Sequence, residues 1–202
     1  RAQAMQDAVP VGVGAMAAVL GLEADAVRAA CAQASLEVGE PVEAANFNDP
    51  KQTVIAGTKA AVDKACELVK AAGAKRALPL AVSAPFHSSL MRPAAERLRE
   101  RLAATVFLPP QLPVLNNIDV AVQNEPDALR EALYRQAFGP VRWVESVQAL
   151  AAKDVYEFLG SPEGELGLAQ AALVVLTHKP LRMNGTVPSG AKTCFQLFAI
   201  HT

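Results

Sequence analysis

Apolar positions recur along this chain in two alternating periods. Residues 14–22 (GAMAAVLGL) are an apolar run of strand length, as a buried strand requires. Across 23–35 the positions Val27, Ala30, Cys31 and Ala34 fall three and four apart. That spacing predicts a helix with one apolar face. Residues 42–47 predict a strand, and Asn48-Asp49-Pro50 a turn, because Asn and Asp bond their own backbone and Pro presets φ. Residues 52–56 (QTVIA) predict the next strand. Helical spacing returns over 59–72, with Val62, Ala65, Cys66 and Val69 on one face and Gly73 as a stop. Residues 76–84 (RALPLAVSA) close the series as a strand. The order β-α-β-β-α-β matches a ferredoxin-like split βαβ unit.

Beyond residue 84 the alternation changes. Residues 93–104 predict a helix, with Pro93 near its start and Leu98 and Leu102 four apart. Residues 112–115 predict a short strand that ends in Asn116-Asn117. A helix over 126–138 carries Leu129 and Leu133, and Gly139-Pro140 breaks it. A further helix is expected over 144–153 and a strand over 155–159. This half reads as the second part of a larger α/β domain whose first strands precede Arg1. After Gly160 the periodicity weakens, and 169–176 fits a helix or a strand. The expected division is 1–12 as the end of a large-subdomain helix and 13–84 as a small subdomain. Residues 85–160 continue the large α/β subdomain, and 161–202 form a divergent, poorly packed tail.

With 202 residues, 51% hydrophobic and 19% charged, the chain has a soluble globular composition. A net charge of -1 removes any global electrostatic case for nucleic acid or an anionic membrane. No apolar run approaches the roughly 18–20 residues of a membrane-spanning helix. The start, Arg1-Ala2-Gln3-Ala4-Met5, has no signal-peptide pattern and reads as a start in mid-protein. Cys31, Cys66 and Cys194 lie outside any CxxC or Cys/His cluster, so no metal site is expected. Reduced core thiols fit a cytoplasmic compartment.

The candidate chemistry centres on Ala84-Pro85-Phe86-His87-Ser88-Ser89-Leu90-Met91. An imidazole between an apolar strand and a helix is well placed as a general base, since it titrates near neutral pH. Ser88 and Ser89 read as helix-capping groups ahead of Pro93. The flanking text adds Asn46-Phe47-Asn48-Asp49-Pro50, Gln52-Thr53-Val54-Ile55-Ala56-Gly57, Gly73-Ala74-Lys75-Arg76 and Pro113-Val114-Leu115-Asn116-Asn117. Arg135-Gln136 and Pro140-Val141-Arg142-Trp143 follow in order. Together these blocks resemble the malonyl-CoA:acyl-carrier-protein transacylases over roughly 1–158.

The resemblance implies an α/β fold: part of an α/β-hydrolase-like acyltransferase domain with an inserted ferredoxin-like (βαββαβ) subdomain. It implies malonyl transfer from coenzyme A to the phosphopantetheine thiol of acyl carrier protein through a malonyl-serine, as in fatty-acid synthesis. It implies His87 as the base that activates the serine, and the backbone carbonyl of Gln136 as the group that orients the imidazole. Arg1 would grip the malonyl carboxylate through paired hydrogen bonds, or is an ordinary solvated arginine. Asn46 and Asn48 line the acyl or pantetheine pocket, or form a turn into Pro50; Asn117 carries the same ambiguity. Lys75 and Arg76 contact the acidic carrier protein, or form a solvated turn. The partners implied are malonyl-CoA and acyl carrier protein, with no cofactor, metal, nucleic acid or membrane, and a monomeric state.

The family's nucleophile sits in a GHSxG elbow. No GxSxG occurs in this chain, and Ser161 and Ser189 lack both flanking glycines at the needed spacing. The expectation is a C-terminal fragment, inactive alone, with serine and oxyanion donors upstream of Arg1. After the 155–158 segment the family's GPGKVL turn is replaced by Gly160-Ser161-Pro162-Glu163-Gly164, from divergence or a shifted frame. His178 and His201 in that tail receive no role. Two other readings stand beside the enzyme: a non-catalytic module that binds acyl carrier protein, and a truncated remnant.

Overall fold

Extended and helical segments alternate as β-α-β-β-α-β between Gly14 and Pro79. The structure, a computed structural model, describes residues 2–82, 84–111 and 113–152. Beyond these it describes only the short strands Leu159–Gly160, Ala172–Leu173, Val175–Leu176, Thr193–Cys194 and Gln196–Phe198. Helix α1 (Ala2–Ala8) precedes the first strand. The alternating unit comprises β1 (Gly14–Leu20), α2 (Ala24–Val38), β2 (Val42–Asp49), β3 (Gln52–Thr58), α3 (Lys59–Ala71) and β4 (Arg76–Pro79).

The strands form one sheet in the order β2-β3-β1-β4, every pairing antiparallel. Successive residues of β1 face opposite sides, as the pleat dictates. Ala17 and Val19 join Val27, Cys31, Ala34, Ile55, Val62, Ala65 and Val69 in a core between the sheet and both helices. Met16 packs on the other face with Ala45, Val54 and Ala56. Helix α2 stops at Gly39, whose φ of 75° suits glycine and whose N–H bonds the Ser35 carbonyl. Thr58 caps α3, its hydroxyl accepting from the Ala61 N–H.

Two expectations are corrected here. The strand expected over 76–84 ends at Pro79, because proline lacks the N–H that would extend the ladder. Beyond it Leu80 stays attached, donating to the Met16 carbonyl at 2.9 Å. The turn expected at Asn48-Asp49-Pro50 is displaced. Asn48 lies inside β2, and Asp49 makes the turn by accepting the Lys51 N–H at 3.1 Å.

The outer edge of β2 is covered. Phe47 N–H donates to the Val141 carbonyl at 2.9 Å, and Val141 N–H donates to the Ala45 carbonyl at 2.8 Å. A parallel bridge joins Asn46 to Val141. This contact docks the second half of the chain onto an edge that would otherwise offer open backbone groups.

That second half contains a 3-10 turn (Ser89–Met91), α4 (Arg92–Ala103), β5 (Val114–Asn116), β6 (Ala121–Gln123), α5 (Pro126–Gln136) and α6 (Trp143–Ala151). Strand β6 pairs antiparallel with β5 and carried no sequence signal strong enough to assign. Gln196–Phe198 pairs parallel with β5 on its other edge. The ambiguous stretch 169–176 contains two short strands, Ala172–Leu173 and Val175–Leu176. The strand expected over 155–159 and the packing expected of 161–202 lie almost wholly outside the described residues.

Candidate active site around His87

The segment before the histidine is wedged between three packed groups. Pro85 rests on the start of β1, and a Cβ at Gly14 would run into its ring. Phe86 packs against the Met16, Ala45, Val54 and Ala56 cluster on the open face of the sheet. It also touches a cluster of Met5, Val9, Ala84, Met91 and Ala94 that joins α1 to α4. These apolar contacts fix the entry to His87 from both sides.

His87 itself is 3% exposed and has a φ of 58°. The left-handed region costs a non-glycine residue about 1–3 kcal/mol, and such strain clusters at functional sites. Its Nδ1 lies 3.1 Å from the Gly139 carbonyl oxygen. A carbonyl can only accept, so Nδ1 carries the proton and the basic electron pair of the neutral ring sits on Nε2.

The carbonyl that the structure places at Nδ1 is that of Gly139, three residues beyond the expected Gln136. Gln136 is the last residue of α5, and Gly139 N–H still bonds back to the Arg135 carbonyl at 2.8 Å. The chain turns toward His87 only after that closing bond. Gly139 tolerates no side chain there, since a Cβ would meet the Ile118 side chain and lie 2.9 Å from the Arg135 oxygen. The Gln136 side chain is buried, donates to the Pro140 carbonyl at 3.4 Å, and leaves Oε1 without a partner.

The serines after His87 do not cap as expected. Ser88 stands at the cap position, but its hydroxyl donates to the Pro85 carbonyl at 2.6 Å. The Ser89 N–H is instead taken by Glu43 Oε2 at 2.9 Å, from a residue on β2. Sequence reasoning missed Glu43, because nothing in a local pattern announces a cap 46 residues away.

Asn117, read as one of the substrate-contact candidates, is fully buried and occupied by protein partners. Its Oδ1 accepts the Arg142 N–H at 2.9 Å, and its Nδ2 donates to Ser146 Oγ at 3.0 Å. It ties the end of β5 to the start of α6. Asn46 is 7% exposed beside Val141. Asn48 is half-buried, with an Oδ1 that has no partner. Lys75 and Arg76 are exposed on the turn from α3 to β4, away from any contact with the His87 segment that the structure records. Arg1, Ser161, Ser189, His178 and His201 lie outside the described residues.

The surrounding charges are paired. Arg135 donates two parallel hydrogen bonds to Asp119, at 2.6 and 2.7 Å, and holds its carboxyl below the ordinary value. Arg142 does the same for Glu145 across the first turn of α6. Burial pushes the Cys31 thiol up to about 12 and also raises Cys66, so both are inert core thiols at neutral pH. Among the described residues no group of three His, Cys, Asp or Glu could hold a metal ion. No helix among them is long and apolar enough to cross a membrane. An apolar cavity of about 270 Å³ lies between β5 and α5, lined by Phe107, Leu108, Val114, Leu129 and Leu133, with Gln136 at its polar end.

Known proteins are similar to this chain over most of its length. The chain is 46% identical over 183 residues to the malonyl CoA-acyl carrier protein transacylase of Escherichia coli (strain K12), covering 90% of this chain and 59% of that protein. It is 54% identical over 151 residues to the Haemophilus influenzae transacylase, covering 75% of this chain and 48% of the relative. A solved acyl-carrier-protein S-malonyltransferase from Burkholderia pseudomallei 1710b is 63% identical with a TM-score of 0.72, over 75% of this chain and 49% of that one. A malonyl-transacylase solved in complex with a type II acyl-carrier protein is 48% identical with a TM-score of 0.72, over 75% of this chain and 48% of that one. The chain thus spans about half to three-fifths of the length of these relatives. The acyl transferase domain model matches residues 1–159, and the chain belongs to the acyl transferase domain family.

Proposed function

We propose that this chain is the histidine-bearing part of a malonyl-CoA:acyl-carrier-protein transacylase, acting in the cytoplasm on malonyl-CoA and acyl carrier protein. The observation that carries the reading is the His87–Gly139 contact. A buried imidazole is held in a strained backbone with Nδ1 on a carbonyl, which leaves Nε2 as the base. In the proposed reaction Nε2 takes the proton from a serine supplied by upstream sequence as that serine attacks the malonyl thioester. His87 then returns the proton to the departing coenzyme A thiolate. The same exchange, with the phosphopantetheine thiol as nucleophile, releases the malonyl group to the carrier. Arg1 is the proposed clamp for the malonyl carboxylate, and Asn46 and Asn48 the proposed pocket polar groups. Lys75 and Arg76 are proposed to meet the carrier protein. No cofactor beyond the substrate is needed, and the working unit is a monomer.

The strand order β2-β3-β1-β4 supports reading 13–84 as a ferredoxin-like subdomain inserted in an α/β-hydrolase-like domain that 85–160 continues. The test is a chimera that joins this chain to the upstream half of the Burkholderia relative. Malonyl transfer to carrier protein is expected, with His87→Ala lowering kcat about 10²–10⁴-fold. A folded chimera whose rate ignores His87→Ala overturns the assignment. The isolated chain should transfer nothing above its His87→Ala control.

A second reading is favoured by the lack of any GxSxG in this chain. As a non-catalytic module, it would bind acyl carrier protein at micromolar affinity without substrate. Calorimetric titration separates the two: binding by the chain, together with an inactive chimera, selects the module.

A further inference from the structure

The geometry points to Glu43 as a positioning residue for His87, a role that rests on the reading of His87 as the base. Two contacts on one strand hold the two partners of the His87–Gly139 hydrogen bond. Glu43 Oε2 accepts the Ser89 N–H at 2.9 Å, two residues past His87. Ala45 and Phe47, on the same strand, pair with Val141, two residues past Gly139. β2 thus works as a rigid bar, with the histidine segment on one anchor and the carbonyl segment on the other.

The need for such an anchor follows from the backbone. His87 occupies a left-handed conformation that relaxes unless its surroundings hold it. The apolar packing of Phe86 holds the entry. On the exit side, Ser88 spends its hydroxyl on Pro85 and leaves no local cap for the turn that follows. The Glu43 carboxylate satisfies that exposed donor, and a bond to a charged acceptor is stronger than a neutral cap. It thereby fixes the chain where it leaves His87. Glu43 touches neither substrate nor the reacting atoms in this scheme. It acts through the ring orientation, and so through which nitrogen carries the proton.

The experiment is long-range proton–nitrogen NMR of the His87 ring in the 202-residue chain, which needs no nucleophile. The wild type should show a single tautomer with Nδ1 protonated. Glu43→Gln keeps an acceptor oxygen and should preserve that pattern. Glu43→Ala should draw the two nitrogen shifts toward an averaged value and speed Ser89 amide exchange by about tenfold or more, the loss of one charge-assisted bond. Protected amides in β1 and β3 report that the fold persists. If Glu43→Ala does not fold, Glu43→Leu retains the stem volume without an acceptor and takes its place. A wild-type tautomer pattern in the acceptor-free variant overturns the proposal, as does loss of the pattern in Glu43→Gln. In the chimera, Glu43→Ala should lower kcat with little change in KM for malonyl-CoA. A chimera indifferent to His87→Ala would overturn the base assignment and leave the tautomer result standing, so the two failures are distinguishable.

Discussion

The sheet unit from Gly14 to Pro79 and the region from Ala84 to Ala152 are organised on different physical terms. The first is closed by apolar alternation: strands and helices share one core of small side chains, with Ala17, Val19, Val27, Ile55 and Val69 fully buried. Among its described residues the second has only three-residue strands, and its loops are held by long-range polar contacts. Asn117, Glu43, Asp119 and Gly139 each join segments that local pattern leaves unconnected. A core made of local repeats is robust and generic. A network of long-range polar contacts sets a few atoms accurately, which is what a base and its orienting carbonyl require.

The sharpest way to break this comparison is to separate the regions. Residues 13–84 expressed alone should unfold cooperatively in urea, whereas 85–160 alone should show no cooperative transition. A cooperative 85–160 fragment would erase the distinction. Next in size is Ile55→Ala. Ile55 is fully buried and touches both neighbouring strands, so its loss should cost about 4 kcal/mol by urea denaturation. Asn117→Ala should cost about 2 kcal/mol by the same measurement, because it takes the acceptor from the part-buried Arg142 N–H and leaves the buried Ser146 hydroxyl with only its bond to the Arg142 carbonyl. A cost below that of a surface change would mean that polar joints do not hold the second region.

The smallest effect concerns pH. Arg135 holds the Asp119 carboxyl below its ordinary value of 3.8, so the folded state binds this proton less readily than the unfolded chain does. The pair's contribution of about 1 kcal/mol is present above about pH 4 and is lost as pH falls through the lowered folded value. Asp119→Asn should flatten that acid limb of the stability curve and leave the neutral region lower by a similar amount.

Legibility in the sequence followed the same division. The order of the first unit was readable because Val27, Ala30, Cys31 and Ala34 repeat at helical spacing, and QTVIA has the length and branching of a strand. Its end was misjudged at Pro79, where a missing N–H outweighs a continuing apolar pattern. In the second region β6 went unseen, since Ala121–Gln123 is three residues long and half-buried on no clear period. His87 was found from its flanks. The carbonyl at its Nδ1 lies three residues beyond the expected Gln136, because a helix end fixes which residue turns outward only once the closing hydrogen bond to Arg135 is known.

By itself, then, the amino-acid order determined most of the helices and strands, which faces are apolar, and which histidine is the candidate base. These are properties of neighbouring residues, and chain spacing alone expresses them. The tertiary structure alone decided that Gly139 faces Nδ1, that Asn117 is a joint, and that Glu43 caps a turn 46 residues further along the chain. Those assignments depend on distances between residues 52, 25 and 46 positions apart, which the order of neighbouring residues does not express.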